Sequence, residues 1–154
     1  MACLRGALAV FAAPLVTCVL FAGSTPNFSG TWQLDPAKSP DAQGRTITYT
    51  IQDSSGKITF TRLVHEADGK EITSKFTCDT AGTQCDFDEG GQKAHVSLWF
   101  NGSALMILTS DGPKEDAVTQ YKLELDSGGK MLKVGLEHID PAGKPETLVF
   151  AKKT

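Results

Sequence analysis

Thr46-Ile47-Thr48-Tyr49-Thr50-Ile51-Gln52 alternates small polar side chains with bulky, mostly apolar ones at every step. Successive side chains of a strand point to opposite faces, so this stretch reads as a strand with Ile47, Tyr49 and Ile51 facing a core. The threonines and Gln52 then face water. The same period of two recurs down the chain. Ile72, Ser74, Phe76 and Cys78 oppose Glu71, Thr73, Lys75 and Thr77, and Tyr121, Leu123 and Leu125 oppose Gln120, Lys122 and Glu124. Leu132, Val134 and Leu136 oppose Lys133, Gly135 and Glu137. No convincing helical period competes with it.

Turn signals punctuate these runs: Asp53-Ser54-Ser55-Gly56-Lys57, Asp68-Gly69-Lys70, Gly90-Gly91, Asn101-Gly102, Asp111-Gly112-Pro113-Lys114, Asp126-Ser127-Gly128-Gly129-Lys130 and Asp140-Pro141-Ala142-Gly143-Lys144. Asp supplies side-chain hydrogen bonds and Gly the positive φ that tight hairpins need. The predicted strands are 30–34, 46–52, 57–65, 70–78, 84–88, 94–100, 104–110, 117–125, 131–138 and 146–152. Short turns between sequential strands make them antiparallel, because a parallel return needs a long crossover. Only the Pro- and Asp-rich stretch 35–45 is longer, and it reads as loop.

One apolar and one solvated face per strand suits a barrel or a sandwich. Closure is favoured, because an open meander leaves two bare edges. The expected fold is therefore all-β, an antiparallel up-and-down meander of about 8–10 strands closing into a barrel. The segment Ala104-Leu105-Met106-Ile107-Leu108 is apolar on both faces, so something is expected to cover its outer side.

A chain of 154 residues is long enough for one domain with a real core. Its start reads differently from the rest. After Arg5, residues 6–23 carry no charge and are mostly Ala, Val, Leu and Phe. That is the pattern of a secretory signal peptide, with cleavage expected after Ala22, Gly23 or Ser24. Pro14 and the small residues at the end argue against the rival, a transmembrane anchor. Leu15-Val16-Thr17-Cys18 is shaped like a lipobox and keeps a lipoprotein anchored at Cys18 as an alternative, although Thr17 is unusual there. The expected division is residues 1–23 as signal and 24–154 as the barrel, placed in the periplasm or secreted.

Without Arg5 the remaining chain has 14 cations against 18 acids, a formal charge of −4, and no basic stripe. Nucleic-acid binding needs clustered Lys and Arg, so the composition argues against it. Cys78 and Cys85 form an even pair in an oxidising compartment, and their parities bring both to one face of a hairpin, which predicts a disulfide. Metal binding would require further ligands, and C-x-x-C redox chemistry a shorter spacing.

Asn27-Phe28-Ser29-Gly30-Thr31-Trp32, right after the signal pattern, contains the G-x-W string that resembles the signature of lipocalins and related calycin barrels. The longer run from Phe28 to Ser39 resembles the start of a family of small exported bacterial proteins of unknown function. The resemblance implies that Trp32, behind Gly30, plugs one end of the barrel. A cation from the end of the last strand, Lys152 or Lys153, would pack over its ring. The second lipocalin signature, T-D-x-x-Y, is absent, and Thr119-Gln120-Tyr121 is its nearest echo. The resemblance is thus lipocalin-like rather than strict.

No G-x-S-x-G, H-E-x-x-H or glycine-rich phosphate loop occurs, and no catalytic set, metal site or cofactor is expected. His65, His95 and His138 are far apart and read as surface or strand-end imidazoles. Arg62 shares its strand parity with Ile58, Phe60 and Val64, where a long cation is costly unless paired. It is the first candidate for a ligand contact, to a carboxylate, set against the plainer reading that it lies near a barrel mouth or that a bulge reverses its side. No acid of matching parity is evident on neighbouring strands. Tyr49, Ser74, Tyr121 and His138 are candidate polar handles, or simply satisfied core groups. The expected function is binding of a small apolar or amphiphilic molecule. The alternative, a filled barrel serving as a structural or protein-interaction module, draws on many bulky inward candidates: Ile47, Ile51, Ile58, Phe60, Phe76, Phe87, Leu98, Phe100, Leu123, Leu136 and Phe150.

Overall fold

The computed structural model describes residues 25–89, 91–111 and 117–154. The expected signal peptide and Cys18 lie outside them. Ten strands follow one another: β1 (Gly30–Leu34), β2 (Thr46–Ser54), β3 (Lys57–His65), β4 (Glu71–Asp79), β5 (Ala81–Glu89), β6 (Gln92–Asn101), β7 (Ala104–Asp111), β8 (Ala117–Leu125), β9 (Met131–Asp140) and β10 (Glu146–Lys152). They form one closed antiparallel barrel in which each strand pairs with its sequence neighbours and β1 pairs with β10. An even strand count makes this closure possible with antiparallel hydrogen bonding throughout, because the last strand then runs against the first. Closure removes every free edge.

Several strands run one to three residues past the alternating pattern. Ser54 still pairs with Lys57 in the β2–β3 ladder, across a turn in which Ser55 and Gly56 both take positive φ (53° and 77°). A two-residue turn of that form matches the twist of the strands, so the ladder continues to its end although the side chains have turned polar. The stretch 35–45 is more ordered than a plain loop. It holds two short 3-10 turns, Pro36–Lys38 and Pro40–Ala42, the first capped by the Asp35 carboxylate, which accepts from the Ala37 amide. Buried Ser39 then takes the place of a strand: its Oγ accepts from the Val149 amide at 2.9 Å and donates to the Val149 carbonyl at 3.2 Å.

The inward faces form one core, with Phe28, Trp32, Tyr49, Ile51, Ile58, Leu98, Leu123 and Phe150 essentially without exposure. Burial of side chains of this size stabilises by about 1.5–3 kcal/mol each. On the outside of β7, Met106 is also buried; its register neighbours are Trp99 and Lys122. Cys78 and Cys85 are joined by a disulfide, Cα atoms 5.8 Å apart. β4 and β5 pair in register only at Ser74 with Glu89 and Lys75 with Asp88, and the disulfide joins the two strands beyond that short ladder.

Candidate binding site at the open end

The two barrel ends differ. At the end where β1 begins, buried Phe28 and Trp32 fill the opening. The Trp32 indole N–H donates to the Phe28 carbonyl at 2.9 Å, and the Lys152 Nζ lies 5.1 Å from the Trp32 ring centroid. Lys152, not Lys153, covers the ring. Gly30 has φ +144°, and a Cβ there would come within 2.5 Å of the Lys152 Cε, so a side chain at 30 would push the lysine off the indole.

At the opposite end a basin of about 610 Å³ lies between the strand ends, lined among others by Arg62, Gln92, Thr109, Thr119, Tyr121 and His138. Below it, Tyr49, Phe60, Arg62, Ser74, Phe76 and Tyr121 are among the residues around an inner cavity of about 30 Å³. Arg62 and Tyr121 border both. The inner space holds about two water molecules. It is small because five rings cross the interior in sequence. Phe150 and Tyr49 stack at 4.4 Å, Tyr49 meets Phe60 at 4.9 Å, Phe60 stacks on Phe76 at 5.3 Å, and Phe76 meets Phe87 edge-on at 5.5 Å. Such ring pairs add to the burial energy.

Each of the five candidate handles lines one of these spaces: Tyr49 and Ser74 the inner cavity, His138 the basin, and Arg62 and Tyr121 both. Tyr49, Arg62 and Ser74 are register partners across β2, β3 and β4. Burial pushes the Tyr49 hydroxyl well above the usual tyrosine range, and the neighbouring Arg62 guanidinium, which hydrogen-bonds it, pulls the other way. Arg62 is half-buried rather than deep in the core. Ser74 is buried. Across the barrel, Tyr121 faces Ile107 and Leu136 in register, and the His138 Nδ1 lies 3.3 Å from the Thr119 Oγ1.

The sequence reading passed over part of this end. Glu146 has the parity of Leu148 and Phe150, the buried residues of its strand. It accepts from Arg45 at 2.8 Å and lies 3.8 Å from the His138 Nε2. Arg45 in turn donates to the Ala42 and Asp41 carbonyls, which ties the 3-10 turns to the rim. In backbone register, Glu89 of β5 stands opposite Ser74 of β4, and Ser74 opposite Arg62 of β3. His65 stands outside, exposed beside Glu71, and His95 pairs with Asp86 at 2.8 Å. Among the described residues no group of three or more His, Cys, Asp or Glu is placed to hold a metal ion.

No family model matches this sequence, and no curated protein matches it. Solved structures do. Apo lipid binding protein 8 of Caenorhabditis elegans superimposes with a TM-score of 0.60 at 11% identity, over 82% of this chain and 95% of that chain. The fold is that of a lipocalin-like, calycin-type barrel. The wild-type fluorescent protein UnaG matches at TM-score 0.53 and 19% identity, over 82% of this chain and 97% of that one. A point mutant of UnaG matches at 0.55 and 20%, over 82% and 96%. At these identities the likeness is one of fold, so the lipocalin-like barrel must be read through its own residues.

Proposed function

We propose that this lipocalin-like barrel is an exported, non-catalytic protein that binds a small apolar or amphiphilic molecule at its open end. One observation carries the reading. Arg62 and Tyr121 border both the basin and the apolar cavity beneath it, so a polar group and an apolar group of one ligand can be held at once. A guanidinium reads a carboxylate through two parallel hydrogen bonds. The C. elegans neighbour is by its name a lipid-binding protein, which supports binding as the use of the fold here. Export rests on the pattern of residues 1–23 and agrees with the Cys78–Cys85 disulfide.

A second reading, the filled structural or protein-interaction module, draws on the five-ring chain and the small inner cavity. The two separate by experiment. Arg62→Gln should weaken binding of an anionic amphiphile by about 1.5–3 kcal/mol, the range for hydrogen bonds to charged groups. It should leave an uncharged apolar probe about equally bound. Calorimetry with both probes checks this. Equal affinity of wild type and variant for the anion removes Arg62 from the site, and no binding of either probe by the wild type leaves the filled module.

A further inference from the structure

We infer that the ligand's apolar part is short, a single ring or a chain of a few carbons, attached to an anionic head that stays in the basin. This rests on the binding reading above and narrows its ligand class to short-chain or single-ring carboxylates. Cavities that enclose drug-sized ligands run to about 300–1,000 Å³. The basin, at about 610 Å³, falls in that range. The interior below it, at about 30 Å³, falls an order of magnitude short. The ligand must therefore end where the two meet.

Arg62 stands at that junction, not at the barrel floor, so it fixes the depth of the charged head. Directly beneath are Phe60, Phe76 and Phe87, linked to one another and through Tyr49 to Phe150. Admitting a long chain would require several of these rings to leave their packing together. Above the junction the lining turns polar, with Gln92, Thr109, Thr119 and His138 offering hydrogen bonds to a head group. Polar contact grows toward the mouth while apolar contact stops at the rings.

A chain-length series tests this. Butanoate, hexanoate, octanoate, dodecanoate and hexadecanoate are titrated into the folded domain, below their micelle concentrations, with binding read by amide chemical shifts. Each methylene that reaches apolar surface should tighten binding about fourfold, the equivalent of about 0.8 kcal/mol. The gain should stop by octanoate, with the longer chains no tighter. Phe76→Ala, or the milder Phe87→Leu, should move the plateau to longer chains, with thermal melts selecting the variant that stays folded. A wild-type gain that continues through dodecanoate overturns the length limit while leaving the binding reading intact. A plateau that neither variant moves overturns the aromatic floor as its cause. Failure of the wild type to bind any member overturns both the limit and the binding reading.

Discussion

Trp32 is held from three sides. Its ring has no exposure, its N–H is satisfied by the Phe28 carbonyl, and its face carries the Lys152 ammonium. Replacing it by Ala removes a large buried aromatic and leaves a cavity at the closed end, so Trp32→Ala should lower stability by about 3–5 kcal/mol in denaturant melts. A change under about 1 kcal/mol would mean that the barrel end closes without it. This plug was legible beforehand, because Gly30-Thr31-Trp32 names it by resemblance and the end of the last strand offers only two lysines. Glu146 was legible too, from its parity, and went unread because the apolar pattern of its strand starts only at Leu148. The depth of Arg62 was not. Alternation assigns a residue to the inner face, whereas its height in the barrel depends on how far each strand is staggered against the next.

At the scale of elements, the strands followed from period two and the Asp and Gly turns, and four of them have the expected ends. The connection 35–45 did not, because what orders it is contact with β10 rather than local pattern. Asp41 shows how. Its carboxylate accepts from the Thr147 amide at 3.2 Å and from Lys144 at 3.3 Å. These bonds favour the charged form and hold its pKa below the ordinary value of 3.8. A carboxylate lowered in the folded state stabilises above its unfolded pKa, and that contribution disappears as pH falls through the lowered value. The two Asp41 bonds to β10 and its turn should therefore persist at neutral pH and be lost only below the ordinary carboxylate value, while the Ser39 bonds to Val149 remain. The Thr147 amide shift, followed by NMR, should titrate with a midpoint below 3.8, and in Asp41→Asn the titration should vanish. A midpoint at or above the ordinary value would show that the bonds do not form in solution.

For the whole molecule, closure was foreseeable from the absence of any crossover, but the fill of the interior was not. A list of inward residues gives the volume of side chains without the volume of the barrel around them. Whether ten strands leave room depends on stagger and on how rings stack across five of them, which no local pattern encodes. The division of the chain gives a further prediction. If residues 1–23 are a cleaved signal, N-terminal sequencing of the exported protein should begin at Gly23, Ser24 or Thr25. A lipid-modified Cys18 at the start would instead establish the anchored form, and an intact Met1 would exclude both.

The pairing of Trp32 with Lys152 brings the first and last strands together at one pole of the barrel. Chain entering β1 and chain leaving β10 both pass through that pole, and the basin opens at the other. A fused domain or surface linker joined directly at Thr25 or at Thr154 would therefore meet the barrel at its base, away from the opening. A peptide joining the two ends could seal the base into a loop, and new termini could then be cut elsewhere without touching the strands that frame the opening.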